Sequence, residues 1–117
     1  MENSDPNDPV SVYLREIGTL KPLANDEETK LFRELAGPGD WDEARENVAG
    51  RLIEAHLAQV VNIAQKHAAS GVPMLDLIEE GNKGLMNAVR GFAERPIGDF
   101  TDYAATCIDD AIKKGFG

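Results

Sequence analysis

One stretch of the sequence carries charged and polar side chains with the spacing of a binding surface. They recur at intervals of three and four residues, which places them on one face of a helix. These residues are Asp76, Glu79, Lys83, Met86 and Arg90, and Glu80 and Asn82 flank them. The pattern fits a solvated face with a Glu79–Lys83 ion pair. It also fits a surface for another helix, because an exposed methionine adapts well to a partner.

The same stretch contains two glycines, Gly81 and Gly84, inside a predicted helix. Each glycine costs an exposed helix interior about 1 kcal/mol relative to alanine. We therefore expect a neighbouring helix to approach closely at these positions, within the domain or from outside it.

The other residues that could do chemistry do not combine into a catalytic or metal site. His56 and His67 lie three helical turns apart, too far to share a metal, and we interpret them as ordinary surface or boundary histidines. Cys107 is the only cysteine, so we expect a buried apolar side chain and no internal disulfide. The segment from Gly81 to Gly84 lacks the strand-to-helix context of a phosphate loop. We expect no enzyme, no metal and no cofactor.

Length and charge restrict the fold and the partners. A chain of 117 residues predicts one domain, and a net charge of -9 disfavours non-specific binding to nucleic acid. The first nine residues are polar, and no apolar stretch approaches 18 residues, so no signal peptide or membrane span is predicted. The default expectation is a cytoplasmic protein without a membrane partner.

Helical periodicity dominates the chain, and no alternating strand pattern is present. We predict disorder for residues 1–7 and a single all-α helical bundle for residues 8–117, with N-terminal helices in 8–36 and core helices in 41–117. The predicted helices are 10–17, 25–36 with Asn25 opening a capping box, 41–69, 73–92, and a last one from about Thr101. Helix 10–17 should pack on helix 41–69, and helix 73–92 should run antiparallel to that long helix.

Residues 51–92, which contain DLIEEGNKGLM, resemble the second domain of bacterial primary-type, sigma-70-like sigma factors. The sequence typical of that family at this stretch is DLIQEGNIGLM. The segment DPVSVYLREIGTLKPLANDEETKLFREL is similar to the family's preceding DPVRMYLREMGTVPLLTREGEIELAKRI. The resemblance implies a sigma-factor domain 2-like fold. It also implies a docking face for the clamp helices of the largest subunit of core RNA polymerase. The corresponding residues are Asp76, Glu79, Glu80, Asn82 and Met86. An anti-sigma factor is a further implied partner.

Residues 93–117, here called the melting segment, depart from the family pattern. The family uses aromatic residues there to trap promoter bases, and the resemblance leaves Phe100 and Tyr103 in that role. Thr106 and Cys107 replace paired tryptophans, and Asp109–Asp110 replace an arginine–glutamine pair. Stacking and phosphate contacts are both weakened, so we expect weak binding to promoter DNA.

The leading interpretation is therefore a sigma-factor-like initiation protein that binds core RNA polymerase and has a degenerate promoter-melting segment. One alternative is an ordinary promoter-specificity factor that uses a divergent element. A second is a regulatory mimic that occupies the polymerase clamp and blocks other sigma factors. A third is a helical protein-interaction domain unrelated to transcription, which the retained docking face disfavours.

Overall fold

The computed structural model describes residues 8–116, and these form an all-α domain without strands. Its helices are α1 (Pro9–Ile17), α2 (Asn25–Leu35), α3 (Glu43–Ala55), α4 (Leu57–Gln65), α5 (Met74–Glu94) and α6 (Phe100–Phe116), with a 3-10 turn at Ala68–Ser70. The predicted fold class is confirmed. The predicted disorder of residues 1–7 lies outside the described residues, as does Gly117.

Aspartate side chains define the start of three helices. The carboxylates of Asp8 and Asp42 accept hydrogen bonds from first-turn amides of α1 and α3, at 3.1 and 2.9 Å. Asp99 accepts the amide of Asp102 at 3.2 Å and caps α6 in the same way. The last helix consequently begins at Phe100, one residue before the predicted start.

The predicted capping box at Asn25 is wrong by one residue. The N-cap of α2 is Ala24, and Asn25 is already helical. The Glu27 carboxylate accepts the Ala24 amide at 3.1 Å, which supplies half of a capping box because alanine has no side-chain acceptor. Glu28, three residues after Asn25, instead contacts His56, which lies between α3 and α4.

The predicted long helix 41–69 is also wrong in detail, because the chain breaks at His56 between α3 and α4. The His56 backbone leaves the helical region, with φ -117° and ψ 9°. Its ring lies 2.7 Å from the Glu28 carboxylate and 3.0 Å from the Gln59 side chain. These contacts hold the ring where a straight helix is interrupted, and apolar periodicity alone does not reveal them.

Helix α5 lies at the centre of the domain and contacts each of the other five helices. Its antiparallel course along α3 and α4 is confirmed, because Arg90 reaches Glu46 while Gly81 lies against Val60. Helix α1 packs on α4 and α5, and its contact with α4 confirms the predicted packing on the segment 41–69.

The closest partner of α5 is α6, which the sequence analysis did not pair with it. A Cβ atom at Gly84 would lie 2.6 Å from the Cys107 carbonyl oxygen, and one at Gly81 would lie 2.7 Å from a Val60 methyl group. Both glycines therefore permit close packing within the domain.

An aromatic cluster closes the core beside the start of α6. The ring of Phe100 lies 4.9 Å from Phe32 and 5.3 Å from Phe92 between ring centres, and His56 packs against the same ring at 4.9 Å. The remainder of the core is aliphatic, with Leu85 and Ile108 fully buried. The α5–α6 pair is thus fixed rigidly, which positions the outer face of α5.

Candidate docking face and melting segment

The outer side of α5 is an exposed ridge formed by Asp76, Glu79 and Met86. The Met86 side chain is 48% exposed, and Leu75, three turns earlier on α5, is 40% exposed. The opposite side of α5 carries Leu77, Ile78, Leu85 and Val89 into the core. The ridge follows from helical periodicity, which predicted its shared face.

Two cations on the same side of α5, Lys83 and Arg90, form ion pairs within the chain. Lys83 donates to the Glu80 carboxylate at 3.1 Å, so the expected Glu79–Lys83 pair is replaced by a Glu80–Lys83 pair. This hydrogen bond raises the pKa of Lys83. The Arg90 guanidinium lies 3.3 Å from the Glu46 carboxylate and 4.5 Å above the Trp41 ring.

The two carboxylates at the front of the ridge are available to a partner. The side-chain carboxylates of Asp76 and Glu79 form no hydrogen bond and no ion pair with any residue of the described range 8–116, although Glu79 lies near enough to Lys83 to attract its charge. Because Lys83 and Arg90 form their ion pairs with Glu80 and Glu46, the ridge combines unpaired carboxylates with the flexible Met86 side chain. That combination suits a basic helical surface with an apolar gap.

Glu80 and Asn82 lie on opposite shoulders of α5, as the sequence spacing predicted. Glu80 faces the end of α6, where a Cβ at Gly115 would come within 3.0 Å of its carboxylate. Asn82 faces α1, and its amide nitrogen donates to the Tyr13 hydroxyl at 3.4 Å. Both side chains are half-buried, so each also contributes to packing within the domain.

The structure places the two aromatic residues of the melting segment differently. Phe100 is 3% exposed and belongs to the core cluster, so its ring offers no face on which a base could stack. This placement argues against the expected DNA contact of Phe100. Tyr103 is 40% exposed, and its hydroxyl lies over Gly91 of α5. The adjacent Cys107 side chain and partial burial raise the pKa of Tyr103.

Two of the acids in the melting segment have structural roles. Asp99 caps α6, and Asp109 lies 2.7 Å from the His67 ring and 2.8 Å from the Lys113 amine. The hydrogen bond from Lys113, followed by that from His67, lowers the pKa of Asp109. Asp102, Thr106 and Asp110 remain exposed on the same side of α6 as Tyr103.

Comparison with known proteins identifies the domain. The sequence model of the family described as sigma-70 region 2 matches residues 52–116, more than half of the chain. The chain belongs to this family. It is 43% identical over 108 residues to the RNA polymerase sigma factor SigA of Listeria monocytogenes, covering 92% of this chain and 27% of that protein. Against the RNA polymerase sigma factor SigA of Lactococcus lactis subsp. cremoris it is 41% identical over 108 residues, covering 92% and 29%. The chain thus spans less than a third of these relatives.

The two histidines of this sigma-70 region 2 chain have partners that the sequence did not predict. Both histidines pair with carboxylates across helices, His56 with Glu28 and His67 with Asp109, each at 2.7 Å. The pairs secure the two ends of α4, to α2 and to α6. Their partners lie 28 and 42 residues away in sequence, so no local pattern indicates them.

Two further observations concern sites of other kinds in this sigma-70 region 2 chain. Within residues 8–116, no group of three or more His, Cys, Asp or Glu side chains is placed to hold a metal ion. None of the described helices is both long enough and apolar enough to cross a membrane.

Proposed function

We propose that this chain binds core RNA polymerase as a sigma-factor domain, through the docking face formed by Asp76, Glu79, Glu80, Asn82 and Met86. The observation that carries the proposal is the exposed ridge of α5, where the Asp76 and Glu79 carboxylates form no hydrogen bond or ion pair within the described residues. The proposed partner surface is the pair of clamp helices of the largest polymerase subunit, with arginines facing these carboxylates.

The names of the relatives support RNA polymerase as the partner. Each is an RNA polymerase sigma factor by name, and the family match over residues 52–116 includes the whole of α5 and α6. We infer a role in transcription initiation rather than in catalysis, in the cytoplasm, with an anti-sigma factor as a further partner. Residues 8–36 and 41–117 would act as one domain in this role.

The second half of the proposal is that the melting segment contacts promoter DNA weakly. Phe100 is buried, Tyr103 remains exposed, and Asp102 and Asp110 are exposed beside it. Exposed carboxylates repel phosphate and release no counterions on binding. This argument favours a polymerase-binding domain with reduced promoter opening.

A regulatory mimic that occupies the clamp is the second candidate function, and the acidic outer side of α6 favours it. Such a protein would bind core polymerase, compete with a primary sigma factor and fail to open promoter DNA. An ordinary sigma-factor domain would bind the same clamp and support opening when joined to the rest of its chain.

The direct test measures binding of the fluorescently labelled chain to core RNA polymerase, for wild type and for Asp76→Arg. We expect saturable binding of wild type and at least an approximately 30-fold loss for Asp76→Arg, because charge reversal at a paired interface carboxylate costs about 2 kcal/mol or more. Glu54→Arg is the matched control, since Glu54 is exposed on α3, away from the ridge. Equal affinity of all three proteins would rule out the proposed face.

A further inference from the structure

We propose that Glu28, His56 and Gln59, here called the relay, are positioning residues that join α2 to the first turn of α6, within the melting segment. The His56 ring lies between the other two side chains, 2.7 Å from the Glu28 carboxylate and 3.0 Å from the Gln59 amide oxygen. At the far end of the relay, the Gln59 amide nitrogen donates to the backbone carbonyl of Thr101 at 2.9 Å. The inference rests on the proposed function only in the role of this segment toward promoter DNA.

The Thr101 carbonyl fixes the order of donors and acceptors in the relay. A carbonyl oxygen only accepts, so the Gln59 side chain turns its nitrogen to Thr101 and its oxygen to His56. The amide oxygen also only accepts, so the Nδ1 atom of His56 carries a hydrogen and donates it. The Nε2 atom faces the Glu28 carboxylate at 2.7 Å, a distance typical of a charge-assisted hydrogen bond. An ionised carboxylate cannot donate, so Nε2 carries a hydrogen as well, and the ring donates from both nitrogens.

The His56 ring is in contact with the start of α6 in two ways. The ring of Phe100, the residue before Thr101, packs edge-on against it, with 4.9 Å between ring centres and 79° between planes. Gln59 connects it to the backbone of the same turn. Both His56 and Glu28 are largely buried, so water competes little for the hydrogen bond between them. The relay therefore holds the first turn of α6 as well as the break between α3 and α4.

The turn that the relay holds carries the exposed groups of the melting segment. Asp102 and Tyr103 follow Thr101 directly, and both are exposed. The hydrogen bond from the Tyr103 amide to the Asp99 carbonyl, at 3.1 Å, closes the helical turn that contains Thr101. A shift of the Thr101 carbonyl would consequently move Asp102 and Tyr103 with it. Through the relay, Glu28 of α2 thus sets where the exposed aromatic ring lies.

Nuclear magnetic resonance of the histidine ring hydrogens tests the order of donors. Hydrogen bonding and burial protect such hydrogens from exchange with water, which makes them observable. In the wild-type chain with isotope-labelled histidine, we expect His56 to give separate N–H signals from Nδ1 and from Nε2. Gln59→Ala should remove the Nδ1 signal and keep the Nε2 signal, and Glu28→Ala should do the reverse. A wild-type His56 ring with a hydrogen on only one nitrogen would overturn the relay.

Backbone hydrogen exchange tests the positioning role. Gln59→Ala should accelerate exchange of the amides of residues 103–105 about fivefold, the effect of losing one hydrogen bond. Glu28→Ala should accelerate the same amides by a smaller factor, because Glu28 acts through the ring. Glu28→Gln can still accept from Nε2 and should restore the wild-type rate. Gln65→Ala is the matched control, since Gln65 is exposed on the same helix, and should leave these amides unaltered.

Polymerase binding separates the relay from the docking face. Gln59→Ala should bind core RNA polymerase as tightly as wild type, because its side chain contacts α6 and not the ridge of α5. Unchanged exchange in Gln59→Ala, or a Glu28→Gln variant as fast as Glu28→Ala, would overturn the positioning role. A loss of polymerase binding in Gln59→Ala would also overturn it, because the relay would then support α5. If the wild-type chain binds no polymerase, the proposed function fails, while the ring signals and exchange rates still decide the relay.

Discussion

The His67 ring nitrogen lies 2.7 Å from the Asp109 carboxylate and joins the end of α4 to the middle of α6. The second oxygen of Asp109 accepts from Lys113 one turn further along α6, at 2.8 Å. The sigma-factor pattern that this sequence resembles has an arginine at the position of Asp109. The aspartate here contacts His67 and Lys113 within the domain.

Removal of either partner of this contact should lower the stability of the domain. We expect His67→Ala and Asp109→Ala each to reduce the free energy of unfolding by about 1 kcal/mol, the usual value of a partly buried hydrogen bond. The double variant should lose less than the sum of the two, because both changes remove one interaction. Urea denaturation measures all three. Asp110→Ala, an exposed neighbour, is the control and should stay within about 0.5 kcal/mol of wild type.

Acid should weaken the same contact. Lys113 and His67 hold the pKa of Asp109 below its ordinary value of 3.8, so the folded chain binds fewer protons at this group than the unfolded chain. The stabilisation is complete above that ordinary value and is lost as the pH falls through the lower folded pKa. We expect wild type to lose stability more steeply than Asp109→Asn below about pH 4. Thermal melting of both proteins between pH 5 and about pH 2 measures this. If the two melting temperatures fall by the same amount over this range, the assignment is wrong.

The helices and the exposed side of α5 could be predicted because helical periodicity encodes both. The exposed ridge at Asp76, Glu79 and Met86 follows from spacing alone. The break at His56 could not be predicted in this way, since it depends on Glu28, a residue of another helix. The burial of Phe100 was not predicted. The resemblance to a family assigns a role to this position, but it does not show that the side chain packs in the core of this chain.

The pairing of α5 with α6 was missed although the sequence contained its signal. Gly84 was interpreted correctly as a site of close approach, but the approaching helix was left open. The order of helices along a chain does not show which two pack most tightly. The contact of Gly84 is with the Cys107 carbonyl oxygen, and a backbone atom has no sequence signature.

Gly84→Ala should destabilise the domain even though alanine favours helices. Its Cβ would lie 2.6 Å from a backbone oxygen of α6, which moves only if the helix shifts, and such overpacking costs about 1–3 kcal/mol. Gly50→Ala is the matched variant, because Gly50 is helical and a Cβ there meets no atom within 4 Å. It should gain up to about 1 kcal/mol. Opposite signs in urea denaturation are expected; a stabilised Gly84→Ala would refute the tight α5–α6 contact.

Phe100 and Tyr103 should differ in their effects on stability. Phe100→Ala removes a buried ring from the aromatic cluster and should cost about 3–5 kcal/mol of unfolding free energy. Tyr103→Ala removes a ring that is 40% exposed and should cost about 1 kcal/mol. Thermal or urea unfolding separates the two. Similar small losses for both would indicate that Phe100 is accessible and returns it to the set of DNA-contacting candidates.

The melting segment should bind single-stranded promoter-type DNA poorly, and a limited set of changes should improve this. Asp99 and Asp109 are unsuitable for replacement, since one caps α6 and the other anchors it to α4. Thr106→Trp adds a stacking surface beside Tyr103, while Asp102→Thr with Asp110→Gln removes two exposed negative charges. One stacked base contributes about 1–3 kcal/mol, so the triple variant should bind a minus-ten-type oligonucleotide about tenfold or more tightly than wild type at low salt.

The control for charge alone is Glu43→Gln with Glu54→Gln, which removes two exposed acids from α3 instead of α6. Fluorescence anisotropy should show little improvement for this control, because its acids lie on another helix. An equal gain for both variants would mean that net charge limits binding and that the outer side of α6 is not the contact surface. Micromolar, sequence-selective binding by the wild-type chain would contradict the weakened melting segment itself, since two exposed acids would then be compatible with DNA contact.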